Sequence, residues 1–258
     1  MSVVSVERFP DERIAVVTLD RPPLNAIDEG LATDLLAAIE ELEGAAAADV
    51  AAALVESACE GVFMAGADLE AVHAVRPEDV DRVSQVQDVM SRFAELPMPT
   101  VAAINGHALG GGLELALACD FRFLAKGPGL VGLPEVRLGL LPGLGGTQRL
   151  TRLVGAGRAT MLMLKGLQLT PEQALEDGIV HELVEPEELA ARARDFTVRL
   201  AAQAPLALRA IKRSIAAAYR PDGLEVEKQG FRELLLSDDA KTGIAAFLAG
   251  DKARFSGS

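Results

Sequence analysis

Aromatic residues are scarce in this sequence. It contains no Trp, one Tyr and nine Phe, so aromatic residues make up 4% of its 258 positions. Half of the chain is nevertheless hydrophobic, which is enough apolar material to bury a substantial core. We therefore expect a core built mainly from Ala, Leu and Val side chains.

Cysteine and long apolar runs are also lacking. The two cysteines, Cys59 and Cys119, cannot make a disulfide framework, and each is expected to be a small buried hydrophobe. The sequence opens without an apolar signal segment, and no uninterrupted apolar run approaches the roughly 20 residues that span a bilayer. A reducing, cytoplasmic location without membrane contact is the expectation.

Positive charge is in deficit, with 25 Lys and Arg against 38 Asp and Glu and a net charge of −13. This balance argues against nucleic acid as a partner, because nucleic-acid binding needs clustered cations. It weighs less against one small anion, because exposed charges more than about 10 Å away are screened at ordinary ionic strength. The three histidines, His73, His107 and His181, lack metal-ligand spacing, so no metal site is predicted.

Strand and helix patterns alternate through the first two thirds of the chain. Apolar runs predict strands at 13–19, 51–55, 100–104 and 121–124. One helix is predicted from Asp28, its N-cap, to Gly44 and the Ala run that follows, and another over 79–96. This alternation is typical of an α/β fold.

The last third of the chain is mainly helical in pattern. Helical patterns lie near 147–153, 157–165, 171–177, 187–202, 206–219, 223–236 and 238–249, with one strand candidate around 179–183. The composition shifts near residue 200. We therefore predict two units, an α/β core over 1–200 that carries the site and a C-terminal helical region over 201–258 that packs against other subunits.

Three glycines, Gly110, Gly111 and Gly112, lie between a predicted strand and a predicted helix. They let the backbone turn tightly and approach a ligand without Cβ atoms in the way. The first N–H groups of that helix have no internal partner and lie at its positive end, which suits an anion or a developing oxyanion. A tight connection without a ligand explains the glycines equally well, so both interpretations stay open on the glycines alone.

Two glutamates follow the glycines. Glu114 lies in the first turn of a helix whose next residues, 115–118, are all apolar, so its carboxylate is costly there unless it is partnered or functional. Glu135 comes twenty-one residues later in a loop rich in Gly and Pro. A helix start that favours negative charge and a solvated loop would explain them without function. If the two converge, repulsion and burial would push their pKa values apart and divide acid and base roles.

Four ordered segments resemble the enoyl-CoA hydratase/isomerase (crotonase) family. They are Pro23-Leu-Asn-Ala26, Phe63-Met-Ala-Gly-Ala-Asp68, 105–120 with the three glycines and Glu114, and 133–149 with Glu135. The stretch from Ala246 to Phe255 resembles the usual C-terminus of the family, so the match covers essentially the whole chain. The resemblance implies a spiral of strand-strand-helix units and a C-terminal helical trimerisation region, assembled as a homotrimer or a dimer of trimers.

The resemblance also implies the residues of the site. The N–H groups of Ala65 and Gly111 would form an oxyanion hole for the thioester carbonyl of an acyl-CoA. Glu114 and Glu135 would hold one water between them, with Glu114 as base and Glu135 as proton donor. No separate cofactor is expected, because CoA is part of the substrate. The CoA groove would be lined by Leu24, Ala26, Ala65, Gly66, Ala67, Asp68 and Gly111, with Gly143 helping to hold the reacting water.

These features predict an enoyl-CoA hydratase, a lyase of fatty-acid β-oxidation that converts 2-enoyl-CoA thioesters into 3-hydroxyacyl-CoA. The alternatives are a double-bond isomerase, which needs only one carboxylate, and a non-catalytic acyl-CoA binder of the same fold. The family often has a basic residue in the first CoA segment, which here reads Arg21-Pro-Pro-Leu24, so Arg21 is a candidate partner for the CoA phosphates. Residues 127–132 match a dinucleotide fingerprint by letters, but Pro128 and Pro134 leave no long helix to receive a pyrophosphate.

Overall fold

A computed structural model describes residues 2–45 and 49–258 of the chain. The Ala run that was expected to end the first helix continues into 46–48, outside the described residues. Within the described part, ten strands lie in two sheets. They are β1 (Val4–Phe9), β2 (Ile14–Leu19), β3 (Ala52–Ser57), β4 (Val62–Met64), β5 (Thr100–Ile104), β6 (His107–Leu109), β7 (Phe121–Ala125), β8 (Val131–Gly132), β9 (Gln168–Leu169) and β10 (Glu182–Val184).

The ten α-helices of the described residues follow the same chain order. They are α1 (Glu29–Ala45), α2 (Leu69–His73), α3 (Val80–Ala94), α4 (Gly111–Ala118), α5 (Gly146–Leu164), α6 (Pro171–Glu176), α7 (Leu189–Ala201), α8 (Pro205–Ala216), α9 (Gly223–Leu235) and α10 (Asp238–Ala249). Asp28 accepts a hydrogen bond of 2.8 Å from the Leu31 N–H through its side chain, which confirms it as the cap of α1. The two helices predicted near 147–153 and 157–165 are confirmed, because α5 consists of two helical stretches joined by a kink at Gly155, where φ 77° and ψ 157° are not helical.

The larger sheet has the strand order β1-β2-β3-β5-β7-β10, and the smaller has the order β4-β6-β8-β9. In the larger sheet β1 is antiparallel to β2 and the other pairs are parallel. The chain visits the larger sheet, then the smaller sheet, then a helix, as in β3-β4-α2 and β5-β6-α4. This repeat confirms the predicted spiral of strand-strand-helix units. The strands of the smaller sheet escaped the sequence analysis because two or three residues are too few to show a period.

The core is built mainly from Ala, Leu, Val and Ile, as predicted, with three fully buried rings from Phe63, Phe93 and Phe123. Cys59 and Cys119 are buried free thiols, and burial raises the pKa of the Cys119 thiol to about 12. This confirms that both serve as small core residues. Among the described residues, no helix is both long and apolar enough to cross a membrane.

Every residue of α4 is buried, so this helix lies in the centre of the protein. Its C-terminal end is held by the buried guanidinium of Arg122, which donates to the carbonyl oxygens of Cys119 at 2.7 Å and Ala116 at 3.3 Å. A cation suits the negative end of a helix. The opposite, positive end of α4 is the glycine turn. The hydrogen bonds of Arg122 at the C-terminal end therefore help to fix the position of that turn.

The helices α8, α9 and α10 leave many large apolar side chains exposed. The exposed set is Ile211, Ile215, Tyr219, Leu224, Phe231, Leu235, Leu236, Ile244, Phe247 and Leu248. Lys212 of α8 ties this region to the core, because its ammonium donates to the Met98 carbonyl at 3.0 Å and to Asp120 at 2.7 Å. The division of the chain near residue 200 stays a prediction.

Substituting Gly112 by Ala is expected to destabilise the fold. A Cβ at Gly112 would lie 2.0 Å from the Met64 carbonyl oxygen, and a backbone atom cannot move aside as a side chain can. We expect a loss of about 1–3 kcal/mol or more in the free energy of unfolding, measured by urea denaturation. The control is Gly157→Ala in α5, where a Cβ would meet nothing within 4 Å and should be neutral or stabilise by up to about 1 kcal/mol. Equal losses in the two variants would contradict the prediction.

Candidate active site

The glycine turn places backbone N–H groups at the start of α4. Gly110 precedes the helix with φ 53°, a left-handed conformation that favours glycine. A Cβ at Gly111 would lie 2.5 Å from the Cδ1 of Ile27, so a side chain here would displace the end of that residue. The N–H of Gly111, at the first helical position, has no acceptor among the described residues. It is therefore a free donor at the positive end of a buried helix.

Two predicted CoA segments run side by side next to this turn. The Ile27 N–H donates to the Gly66 carbonyl at 2.8 Å, and the Asp68 N–H donates to the Ile27 carbonyl at 2.9 Å. A Cβ on Gly66 would lie 3.8 Å from both the Gly110 Cα and the Gly111 nitrogen. The structure thus brings Leu24 to Ile27, Ala65 to Asp68 and Gly111 together.

The expectation that Ala65 supplies an oxyanion donor is wrong. Its N–H already donates to the Leu24 carbonyl at 2.9 Å, so it is not available to a ligand. Ala67 forms an isolated parallel bridge with Ile27, in which Gly66 and Asp68 make the hydrogen bonds. The N–H of Ala67 therefore points away from Ile27, has no acceptor among the described residues and belongs to an exposed residue. Of the two N–H groups, that of Ala67 and not that of Ala65 is free to bind a ligand.

Glu114 is a buried, hydrogen-bonded carboxylate with 1% of its surface exposed. Its Oε1 accepts hydrogen bonds from the N–H groups of Leu144 and Gly146, both at 2.7 Å. Burial raises the pKa of Glu114, while these two bonds and the positive charge of Arg149 oppose the rise. Charge-assisted bonds of this kind stabilise the ionised form.

Glu135 has a different environment. It opens a short 3-10 helix (Glu135–Leu138) and is half-buried, with Oε1 against Gly110, where an added Cβ would lie 3.2 Å away. Its Oε2 is buried without a hydrogen-bond partner. Burial raises the pKa of Glu135 to about 7, and the negative charge of Glu114 adds to the rise. Neither glutamate is the solvated surface carboxylate of the alternative interpretation.

The two carboxyl groups are therefore arranged as an acid and a base. Burial raises the pKa of both carboxyls, and at Glu114 the two N–H groups and Arg149 oppose the rise, whereas the pKa of Glu135 reaches about 7, so that Glu135 retains a proton on a substantial fraction of molecules at neutral pH. The Oε2 of Glu135 lacks a hydrogen-bond partner, and a bound ligand or water could supply one. Such a pair can remove a proton from one atom and deliver one to another.

Arg21 serves the framework of the site. Its guanidinium contacts Asp28 at 2.8 Å and Asp68 at 3.1 Å and donates to the Ala26 carbonyl at 2.9 Å. It also borders an open cavity of about 480 Å³ that is lined by the acidic residues Asp28, Glu29 and Asp34. With its donors committed to carboxylates and a carbonyl, Arg21 holds the two CoA segments together, and the phosphate role suggested by sequence finds no support.

Asp68 is a helix cap in the structure. Hydrogen bonds from Ala71 and Glu70 and from Arg21 lower the pKa of this carboxyl, the Ala71 N–H having the largest effect. Asp68 therefore supports the turn over Ala65–Asp68, and its predicted place in a CoA groove stays a prediction. His107 is likewise structural, because its Nδ1 accepts a hydrogen bond of 3.1 Å from the Leu130 N–H.

Gly143 immediately precedes Leu144, whose N–H holds Glu114. Space around its Cα is open, and an added Cβ would come no closer than 3.9 Å to any neighbour. The predicted role of Gly143 in holding the reacting water stays a prediction.

Asn25 is a site residue whose role the sequence analysis missed. It has φ 50° and is fully buried, and its side chain accepts from the Arg21 N–H at 2.7 Å and donates to the Phe63 carbonyl at 2.9 Å. It thereby locks the first CoA segment onto β4. The sequence held one signal for this role. Asn25 lies inside the Pro-Leu-Asn-Ala segment, and Asn tolerates the left-handed backbone conformation that a tight turn needs.

Comparison with known proteins places this site in a family. The profile of the Enoyl-CoA hydratase/isomerase family matches residues 10–258. The chain is 35% identical to a putative enoyl-CoA hydratase/isomerase of Bacillus subtilis over 96% of each chain. It is 35% identical to the short-chain-enoyl-CoA hydratase of Clostridium acetobutylicum, with 92% of this chain and 91% of that one covered. The solved structure of an enoyl-CoA hydratase from Geobacillus kaustophilus superposes with a TM-score of 0.94 at 33% identity, covering 100% of this chain and 98% of that one.

The raised pKa of Glu135 predicts a pH-dependent stability. The folded state holds the Glu135 proton up to about pH 7 and the unfolded state only to about 4.5, so this group reduces stability as pH rises between those values. Glu135→Gln removes this loss. Relative to the wild type, the free energy of unfolding of the variant should therefore be higher at pH 8 than at pH 5, by about 1 kcal/mol, a figure reduced to allow for solvent screening of the partly exposed carboxyl. Urea denaturation at both pH values measures the gain, and Glu187→Gln, at an exposed position in another 3-10 turn, is the control. An identical pH dependence in the two variants would refute the assignment.

Proposed function

Because the chain belongs to the enoyl-CoA hydratase/isomerase family and has its fold, we propose that it adds water to the double bond of a 2-enoyl-CoA thioester, giving 3-hydroxyacyl-CoA. The observation that carries the proposal is the pair of glutamates at the start of α4, one hydrogen-bonded by two backbone N–H groups and one with a pKa of about 7. The reaction needs no cofactor, because CoA is part of the substrate. Isomerisation would need only one such carboxylate.

The substrate's thioester would lie over the glycine turn. Its carbonyl oxygen would accept hydrogen bonds from the free N–H groups of Gly111 and Ala67, while the CoA chain follows Leu24, Ala26 and the turn at Gly66. Negative charge grows on this oxygen as water adds, so the two donors stabilise the transition state more than the ground state. Losing one such donor typically costs on the order of 10²–10³ in rate.

Glu114 and Glu135 would divide the proton transfers. The ionised Glu114 takes a proton from water as the water oxygen bonds to C3, and the electron pair of the double bond moves toward the thioester. The protonated Glu135 then gives its proton to C2. Passage of one proton from Glu114 back to Glu135 restores the starting state, so one water is consumed and no other reactant is needed. The assignment follows the two environments, since two N–H groups and Arg149 oppose the burial that raises the pKa of Glu114, whereas burial raises the pKa of Glu135 to about 7.

Replacing either glutamate by glutamine is expected to lower kcat for crotonyl-CoA by about 10²–10⁴, because a positioned acid or base contributes that much. The assay follows the loss of enoyl-thioester absorbance. KM should change little, and Glu187→Gln should match the wild type. Absence of hydration at every acyl chain length would contradict the proposal. Conversion of a 3-enoyl-CoA into a 2-enoyl-CoA instead would identify an isomerase. Unchanged CoA binding with no turnover at all would leave a non-catalytic binder.

We also propose a homotrimer or a dimer of trimers, supported by the apolar side chains that α8, α9 and α10 leave exposed. A monomer seldom exposes so large an apolar face. Light scattering should give three or six times the 27.1 kDa chain mass. Phe247→Asp, at one of these exposed positions, should shift the mass toward the monomer, whereas Glu187→Gln should not. A monomeric wild type would contradict the proposal.

A further inference from the structure

Arg149 lies in the first turn of α5, directly after the loop that holds Glu114. Its guanidinium donates to the Leu144 carbonyl at 2.7 Å through Nη1 and to the Met90 carbonyl of α3 at 3.2 Å through Nη2. Its own N–H donates to the Gly145 carbonyl at 2.9 Å. Arg149 therefore connects α3, the loop and α5 at one point.

The same loop contacts Glu114 from its other side. Leu144 uses its carbonyl for Arg149 and its N–H for Glu114, and the Gly146 N–H makes the second bond to the carboxylate. Between them, Gly145 has φ 100°, and a Cβ there would lie 2.3 Å from the Arg149 Nη1. Residues 144–146 are thus enclosed between a guanidinium and a carboxylate, with a glycine at the point of closest approach.

The charges of these two side chains support each other through the loop. Burial lowers the pKa of Arg149, and the negative charge of Glu114 opposes that change. The positive charge of Arg149 in turn opposes the burial that raises the pKa of Glu114. Within the described residues no ion pair joins the two, so each charge acts on the other by Coulomb interaction across the loop.

We infer that Arg149 is a positioning residue for the general base, fixing the N–H groups of Leu144 and Gly146 on the Glu114 carboxylate. This inference rests on the proposed function. The planar fork of Arg149 reaches two carbonyls on separate elements through two different nitrogens, a geometry that the point-like ammonium of Lys does not reproduce. A displacement of about 1 Å at a reacting group can cost 10²-fold in rate, so a support at this distance from the chemistry matters.

The test compares Arg149→Met and Arg149→Lys with Arg152→Met, which removes an exposed positive charge one turn further along α5. The kinetic parameters kcat and KM for crotonyl-CoA are measured from pH 5 to pH 9. Because Glu114 must be ionised, kcat/KM rises with pH through its pKa, and loss of the Arg149 charge moves that acidic limb to higher pH. We expect Arg149→Met to shift the limb and lower kcat by about 10–10²-fold at nearly unchanged KM.

Arg149→Lys separates charge from geometry. It keeps the positive charge, so the acidic limb should stay near that of the wild type while kcat falls about tenfold, since one ammonium does not reproduce the two-nitrogen fork that holds both carbonyls. Arg152→Met should leave both quantities unchanged. If Arg149→Met does not fold, the kcat loss of Arg149→Lys at constant KM decides the question. An Arg149→Lys enzyme with wild-type kcat, or an unshifted limb in a folded Arg149→Met enzyme, overturns the inference.

A measurement without turnover keeps this inference distinguishable from the proposed function. The Glu114 carboxyl is titrated by ¹³C NMR, with its signal assigned by its loss in Glu114→Gln. A higher pKa in Arg149→Met than in the wild type and Arg152→Met supports the positioning role even if no enoyl-CoA is hydrated. An unchanged Glu114 pKa in an enzyme that does hydrate crotonyl-CoA refutes the positioning role and leaves the function intact.

Discussion

The contact between α4 and β4 is the constraint on which the site depends. Gly112 lies so close to the Met64 carbonyl that a Cβ would reach within 2.0 Å of its oxygen, so two backbones touch without side chains between them. This approach brings the first turn of α4 beside the turn that follows β4. The free N–H groups of Gly111 and Ala67 then belong to one site, although they come from segments more than forty residues apart in sequence. Arg122 at the opposite end of α4 keeps the helix from sliding out of this contact.

Two glutamates of the same chemical type acquire different properties from what surrounds them. Glu114 is almost fully buried, yet two N–H groups face its Oε1. Glu135 is less buried, yet its Oε2 has no partner and its pKa rises to about 7. Burial raises the pKa of both carboxyls, and the hydrogen bonds from the two loop N–H groups oppose that rise at Glu114. Arg149 donates to the carbonyl of Leu144 in the loop that supplies the N–H groups. The environment of the Glu114 carboxyl therefore depends on a residue that it does not contact directly.

Much of the fold could be predicted from sequence, because long apolar runs and helical periods extend over enough residues to be read. The burial of Glu114 was also readable, from the apolar residues that follow it in α4. The error at Ala65 has a local cause. Gly66 has φ 100°, so the directions of successive N–H groups do not simply alternate there, and the sequence could not show which of Ala65 and Ala67 faces the ligand. The roles of Arg21 and Arg149 depend on partners far along the chain, Asp68 for one and Met90 for the other, which no local pattern reveals.

The supports of the two glutamates share no hydrogen bond. Glu114 is carried by α4 and fastened by the loop over 144–146, whereas Glu135 is carried by a 3-10 turn that follows Pro134 and closes on Gly139 in a left-handed conformation. Either glutamate can therefore be substituted without removing the hydrogen bonds that position the other. Such independence lets a single proton-carrying group change at a time, while the free N–H groups of Gly111 and Ala67 belong to the backbone and are not removed by exchange of either glutamate. Chemical diversification is thereby separated from the integrity of the fold.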